Sequence, residues 1–235
     1  MTKAASFTPL NNPIWHSLTT HHAEFAEGCG LARRFDPGIG PLAGMREQNP
    51  EAYRALSDLV LPSEFAVLFL DSAPVLPAGW RLHLHRPMAQ MVREGHPIPP
   101  AGSFSFETLG AADVPEMLEL TTLTEPGPFR QRTWELGGFV GIREVGRLAA
   151  MAGRRLALPG FTEVSAVCTH PEFRGRGYAG ALVAAVAAAI QEQGETPILH
   201  VLVTNTSAIR VYESVGFALR RTLDLAVVFP PARES

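Results

Sequence analysis

One segment constrains this chain more than any other: VCTHPEFRGRGYAGALV, residues 167–183, reads as a strand, a tight turn and a helix in succession. The strand runs through Thr169, and the helix opens between Arg174 and Ala179. Backbone N–H groups at the start of a helix lack partners within the helix, and the helix dipole adds about 0.3 to 1 kcal/mol for a negative charge placed there. Glycine at positions 175 and 177 lets an anion approach the main chain. The sequence therefore predicts a phosphate-binding turn.

The elements around this turn predict a mixed α/β fold. Alternation and turn residues favour strands at 104–109, 139–143, 147–156, 161–169, 198–204 and 216–228, the last with a hairpin-like bend. Helices are predicted at 113–123, 177–193 and 207–214. The strands at 139–169 are expected to form an antiparallel meander, and the apolar helix at 177–193 is expected to lie against the sheet.

The first hundred residues carry no motif of their own. They alternate weak helical stretches with turn-rich segments and contain one strand-like apolar run at 65–70. The proline-rich segment HPIPPAGS, 96–103, predicts a domain boundary. We therefore expect a smaller N-terminal α/β accessory domain at 1–100 and a second domain at 104–230.

Bulk properties exclude several classes of function. A net charge of -3 without a basic cluster argues against nucleic-acid binding. The two cysteines are too few for a disulfide framework or a zinc site and suit a reducing compartment. The longest apolar run, 179–190, is shorter than the roughly 20 residues that span a bilayer, and the amino terminus lacks an apolar export segment. The expectation is a cytoplasmic protein without membrane, nucleic-acid or metal partners.

Two motifs in order resemble those of the GNAT superfamily of acetyl-CoA-dependent acyltransferases. Arg174, Gly177 and Ala179 fill its R/Q-x-x-G-x-G/A pattern. The segment VTNTSAIRVYESVGF fills its N-x-x-A-x-x-x-Y-x-x-x-G-F pattern with Asn205, Ala208, Tyr212, Gly216 and Phe217. The resemblance covers about 104–229 and implies a GNAT-type, mostly antiparallel sheet flanked by helices.

The resemblance also implies where a cofactor binds. The backbone from Arg174 to Ala179 would hold the coenzyme A pyrophosphate, and the strand before it would pair with the pantetheine arm. The implied cofactor residues are Val167, Cys168, Thr169, Arg174, Gly175, Arg176, Gly177, Tyr178, Ala179, Asn205 and Ala208. Asn205 at a strand–helix junction is equally typical of an N-cap. Arg176 and Arg210 are either phosphate contacts or ordinary surface charge.

Two residues are candidates for proton transfer. Tyr212 resembles the family tyrosine that protonates the leaving thiolate, although an aromatic packing role is the alternative. Glu163 precedes Arg174 by the offset typical of the base glutamate in histone-type members. Strand alternation would place positions 163, 165, 167 and 169 on one face, toward the cleft. The alternative for Glu163 is a solvated carboxylate at a strand end.

The remaining polar and aromatic candidates are weaker. Cys168, between apolar neighbours, reads as a buried small residue, so direct attack in a ternary complex is expected. His83 or His85 could line the acceptor pocket, and Phe129 and Trp134 could cover it or pack in the core.

The sequence thus predicts an acetyl-CoA-dependent N-acetyltransferase acting on an amine of a small molecule or a protein, as a monomer or homodimer. The alternative is a non-catalytic sensor that binds acetyl-CoA without turnover.

Overall fold

The structure, a computed structural model, describes residues 7–95 and 104–232. Within these residues the chain forms eleven strands and five α-helices. The strands are β1 (Ala26–Glu27), β2 (Ala32–Phe35), β3 (Ala43–Met45), β4 (Ala66–Leu70), β5 (Arg81–Val92), β6 (Glu107–Leu109), β7 (Phe139–Glu144), β8 (Arg147–Leu158), β9 (Phe161–Thr169), β10 (Thr196–Leu202) and β11 (Ala218–Phe229). The helices are α1 (Pro13–Thr19), α2 (Pro50–Leu59), α3 (Val114–Thr124), α4 (Tyr178–Glu192) and α5 (Thr206–Ser214).

One eight-stranded sheet organises the molecule, in the order β4-β11-β5-β10-β9-β8-β7-β6. Every neighbouring pair is antiparallel except β9 and β10, which are parallel. A separate three-stranded sheet, β1-β2-β3, lies in the N-terminal region. The predicted fold class, a mostly antiparallel mixed sheet flanked by helices, is confirmed.

The parallel pair separates soon after it forms. β9 and β10 share only three register positions, from Phe161↔Thr196 to Glu163↔Ile198. Beyond them β9 continues with β8 alone and β10 continues with β5 alone. The sheet therefore opens between the carboxyl ends of the two strands, and we call this gap the wedge.

Helices cover both faces beside the wedge. α4 begins after Gly177 and buries Leu182, Val186 and Ile190 against the sheet. Gly194, in the left-handed conformation at φ 77°, ends the helix as the sequence predicts. α3 packs in a second cluster with the buried Cys168. The N-terminal region contributes α1, which packs on β2, β3 and β8.

Two features of the sheet differ from the sequence-based expectation. β11 is one continuous strand with two register shifts, so the predicted bend at 216–228 is wrong. β5 was not predicted, because its proline and its alternating charged residues are untypical of a central strand. Pro87, which has no N–H to donate, lies just beyond the last β5–β10 pair, Met88 with Leu202, and its carbonyl accepts from Val203 N–H at 3.2 Å.

The predicted domain boundary, 96–103, lies outside the described residues. Strands on its two sides are nevertheless neighbours in the same sheet, since β5 lies between β10 and β11. The N-terminal region therefore extends the sheet that carries the wedge.

Candidate active site

A cavity of about 900 Å³ fills the wedge. Its walls come from β4, β5, β9, β10, β11, the turn before α4, α5 and the loop at 124–128. All eleven residues that the sequence assigned to the cofactor line it: Val167, Cys168, Thr169, Arg174, Gly175, Arg176, Gly177, Tyr178, Ala179, Asn205 and Ala208. The two sequence signatures, which are separated along the chain, thus meet at one cavity.

The turn before α4 presents unpaired amides to this cavity. Gly175 and Gly177 adopt φ of 79° and 83°, a region that only glycine enters readily. Within the described residues, the N–H groups of 175–177 donate no hydrogen bond. A Cβ at Gly175 would meet no atom within 4 Å, so the space above the main chain is open. The turn is therefore shaped to receive an anionic ligand at the start of a 15-residue helix.

The side chains of the turn have different surroundings. Arg174 and Arg176 are exposed beside the amides, and the Arg176 guanidinium lies 5.1 Å from the ring centre of Phe173. The Tyr178 side chain is instead buried and donates its hydroxyl hydrogen to Glu144. Tyr178 therefore adjoins the cavity mainly through its main chain, while the two arginines add positive charge to the rim.

Tyr212, on α5, lines the cavity. Burial raises the pKa of Tyr212 to about 12, and negative charge on Cys168 or Glu163 would act in the same direction. Its hydroxyl has no hydrogen-bond partner in the part of the chain that the structure describes. The phenol is thus protonated at neutral pH and free to donate to a ligand.

Cys168, on β9, also lines the cavity. Burial raises the pKa of this thiol to about 12, with a hydrogen bond to Thr124 as a smaller opposing effect. Because the thiolate is the nucleophilic form, Cys168 is unreactive at neutral pH. Its predicted role as a buried small residue fits this placement.

Asn205 caps α5. Its side-chain oxygen accepts from Ala208 N–H at 3.2 Å and from the Ser207 hydroxyl at 3.0 Å. The predicted N-cap is confirmed, and the residue also lines the cavity.

Glu163 does not line the cavity. Its carboxylate is fully buried and makes a bidentate ion pair with Arg155, at 2.7 and 2.9 Å, together with a 2.7 Å hydrogen bond from His200 Nδ1. Burial alone would raise the pKa of Glu163, but the Arg155 charge and the hydrogen bonds from Arg155 and His200 lower it to about 2. The interpretation of Glu163 as a solvated strand-end carboxylate is wrong.

The predicted common face of residues 163, 165, 167 and 169 is also wrong. Gly153 and Met151 on β8 are two residues apart, yet they pair with Ser165 and Cys168, which are three apart. The extra residue forms a bulge at Ala166, whose φ is 51°. Since a bulge reverses the alternation, Val167 and Thr169 lie on the face opposite to Glu163.

A buried polar network extends from Glu163 to the N-terminal segment. Gln90 Nε2 lies 3.0 Å from His200 Nε2 and donates to the Leu10 carbonyl at 2.9 Å. Arg220 donates to Gln90 Oε1 at 2.6 Å, which fixes the orientation of the amide. His200 Nδ1 must donate to the carboxylate, so its Nε2 accepts from Gln90.

Sequence reasoning missed Arg155 and His200 as cavity residues. Both line the wall near Phe69, with the Arg155 guanidinium 5.5 Å and the His200 ring 5.0 Å from its ring centre. No local motif marks them, because their contacts with Glu163 depend on strand order.

Other candidates lie outside the cavity lining. His85 pairs with Asp224 and His83 packs on Phe229, while Leu84 between them faces the cavity. Phe129 and Trp134 belong to the cluster around Phe139 and so pack in the core. The exposed Arg210 is likewise absent from the lining.

Comparisons with known proteins agree with this site. The family model described as FR47-like protein matches residues 139–224. A protein from the GNAT family of acetyltransferases, from Novosphingobium aromaticivorans, is 41% identical, with a TM-score of 0.87 over 95% of this chain and 99% of that chain. A GCN5-related N-acetyltransferase from Kribbella flavida is 16% identical, with a TM-score of 0.64 over 92% and 94% of the two chains. No curated protein gave a significant match.

The fold and the wedge define an acetyltransferase-type α/β protein. With 41% identity over nearly the whole length of a member, the chain belongs to the GNAT family. The GNAT fold supports acetyl transfer in general and generally binds acetyl-CoA. Among the helices of residues 7–95 and 104–232, none is both long and apolar enough to cross a bilayer.

Proposed function

We propose that this protein is an acetyl-CoA-dependent N-acetyltransferase that transfers an acetyl group to an amine by direct attack. One observation carries the proposal: two separate GNAT signatures converge on one cavity, which is lined both by the amides of the turn before α4 and by the protonated phenol of Tyr212. The acceptor is an amine of a small molecule or of a protein.

The residues of the turn fit the cofactor. The main chain at Gly175 and Gly177 would hold the pyrophosphate, and the exposed Arg174 and Arg176 would neutralise phosphate charge. Val167 and Thr169 on the wedge side of β9 would hydrogen-bond the pantetheine arm through their main chain. Bound acetyl-CoA supplies the acetyl group as a thioester, whose carbon–sulfur bond breaks as the nitrogen–carbon bond forms.

Tyr212 is the proposed general acid. A thiolate leaving group needs a proton or a hydrogen-bond donor as its charge develops. With its pKa raised to about 12, Tyr212 retains its proton across the neutral range. Its hydroxyl has no other hydrogen-bond partner among the described residues, so it is free to donate to the sulfur of the leaving thiolate.

Glu163 has a positioning role in this proposal. Its carboxylate already binds Arg155 and His200, and it has no exposure to the cavity. A base must reach the proton that it removes, either directly or through one water. We therefore assign Glu163 to holding Arg155 and His200 in the cavity wall, and not to abstracting a proton from the amine.

Two measurements on the full chain test the proposal. Calorimetry with coenzyme A tests the cofactor site, and free thiol release from acetyl-CoA with a panel of amines tests turnover. Binding together with amine-dependent thiol release is expected. Binding without thiol release from any amine would favour the acetyl-CoA sensor, and the absence of binding in folded protein would refute both.

A further inference from the structure

Part of the cavity wall is built by strands that neither signature covers. β4, β11 and β5 lie side by side, and their register places Phe69 opposite Leu225, Val67 opposite Val227, and Val227 opposite Leu84. These side chains therefore share one face of the sheet, toward the cavity. We call this surface the apolar floor; it consists of Val67, Phe69, Leu84, Met88, Leu225 and Val227.

The floor adjoins the part of the cavity wall that carries Arg155 and His200. Phe69 contacts Arg155 and His200, and Arg155 Nη1 lies 4.0 Å from the position that a Cβ on Gly127 would occupy. The loop containing Gly127 follows Thr124, which lines the cavity together with Cys168. The floor thus lies on the β10 side of the wedge, whereas the turn at 174–177 follows β9 on the other side.

Charge in this region is sparse. Among the described residues, Glu125 is the only carboxylate that lines the cavity, and its side chain forms no ion pair there. The Arg155 charge is offset by Glu163. Arg86, opposite Leu225 on the same face, is exposed and lies outside the lining. One carboxylate suits a single amino group, while the nearby arginines disfavour further positive charges on a ligand.

We propose that the acceptor is a primary amine on an apolar body, such as an alkyl or arylalkyl amine. The hydrocarbon packs on the apolar floor, and the amino group lies at the side of Glu125 and Tyr212. This inference rests on the proposed transferase function. It disfavours polyamines and lysine-rich protein tails, which need several carboxylates and few apolar contacts.

The direct test uses linear alkylamines from ethylamine to octylamine, phenethylamine, spermidine and a lysine-rich peptide. Thiol release is followed at saturating acetyl-CoA. Burial of each added methylene contributes about 0.8 kcal/mol, so KM should fall about fourfold per carbon until the floor is covered. Equal or better kcat/KM for spermidine or the peptide would overturn the proposal, as would a KM independent of chain length.

Binding separates this inference from the transferase proposal. Octylamine is titrated by calorimetry into the protein saturated with coenzyme A. Tight binding without thiol release would refute the transferase but support the apolar subsite. Failure of octylamine to bind, while other amines are turned over, would refute the subsite alone.

A matched pair of variants locates the subsite. Leu84→Glu places a charge on the floor, whereas Leu82→Glu changes a 44% exposed residue on the same strand outside the cavity lining. We expect Leu84→Glu to weaken octylamine binding at least tenfold without changing coenzyme A affinity, and Leu82→Glu to change neither. Equal effects of the two variants would overturn the assignment.

A second pair of more conservative variants keeps the test valid if Leu84→Glu fails to fold. Phe69→Leu alters the floor, and Phe65→Leu alters a partly exposed ring that packs on Phe229. Only Phe69→Leu should weaken phenethylamine binding, by about threefold to tenfold. An unchanged dissociation constant in folded Phe69→Leu would count against the floor.

Discussion

Arg155 and Glu163 form a bidentate ion pair beneath the cavity wall, with the Glu163 side chain almost completely excluded from solvent. The pair lies where β9 begins to separate from β10, since Glu163 is the last β9 residue opposite β10. At the base of the wedge, where the main-chain pairing of β9 with β10 ends, this ion pair provides a polar side-chain contact. His200, directly beyond on β10, completes the contact.

Loss of the Glu163 charge should destabilise the protein strongly. Glu163→Gln leaves Arg155 without its partner, and breaking a buried pair costs about 3 to 5 kcal/mol. The exposed pair of Arg147 and Glu172 provides the control, since Glu172→Gln should cost less than about 1 kcal/mol. Denaturant unfolding measures both. Equal free-energy changes in the two variants would contradict the structural importance of the buried pair.

The same variant separates positioning from base catalysis. With a pKa of about 2, Glu163 stays ionised from pH 6 to 9, so it has no titration in the working range. Glu163→Gln should therefore lower kcat/KM through displacement of Arg155 and His200 without altering the shape of its pH profile. Disappearance of an inflection from that profile would restore the base assignment.

Stability should decrease in mild acid because of His22. This residue is buried beside Ser17, and burial lowers its pKa from 6.5 to about 4. The unfolded chain therefore binds a proton between these values when the folded protein does not, and the free energy of unfolding falls as pH decreases from about 6.5 to 4. The loss amounts to about 3 kcal/mol.

His22→Gln tests this origin. The variant should be less stable at pH 7, but its free energy of unfolding should change less between pH 6.5 and 4 than that of the parent. Glu163 contributes only at lower pH, since its stabilising charge is lost as pH falls from about 4.3 toward 2. An unchanged slope in the variant would assign the acid sensitivity to other groups.

Sequence motifs predicted that the turn before α4 and Tyr212 belong to one site because each is a local pattern with fixed spacing, and both line the same cavity. Contacts that depend on strand order could not be predicted, such as Glu163 with His200, 37 residues away. The bulge at Ala166 gave no signal either, because a non-glycine residue with positive φ is not marked in the sequence. The apolar floor could not be predicted either, because it depends on the strand order β4-β11-β5. This order places the strand at 218–229 between two strands of the region 66–92.

Tyr212→Phe should reduce kcat while retaining cofactor binding. The phenol ring packs near Phe217, and phenylalanine preserves that contact while removing the proton donor. General acid catalysis typically contributes 10² to 10⁴-fold, so a fall of about that size is expected with an unchanged dissociation constant for coenzyme A. Full kcat across the pH range would exclude the role and leave Tyr212 as a packing residue.

The phosphate turn can be tested by two glycines that share a conformation but not a location. Gly177 and Gly194 have φ of 83° and 77°, at opposite ends of α4. Alanine in this region costs about 1 to 2 kcal/mol, so both alanine variants should lose similar stability. Only Gly177→Ala adds a methyl group to the anion site, and it should weaken coenzyme A binding at least about tenfold, or 1.4 kcal/mol. The two variants share the backbone strain, but only Gly177→Ala changes the turn. Similar coenzyme A affinities of the two variants by calorimetry would therefore show that the turn does not hold the cofactor.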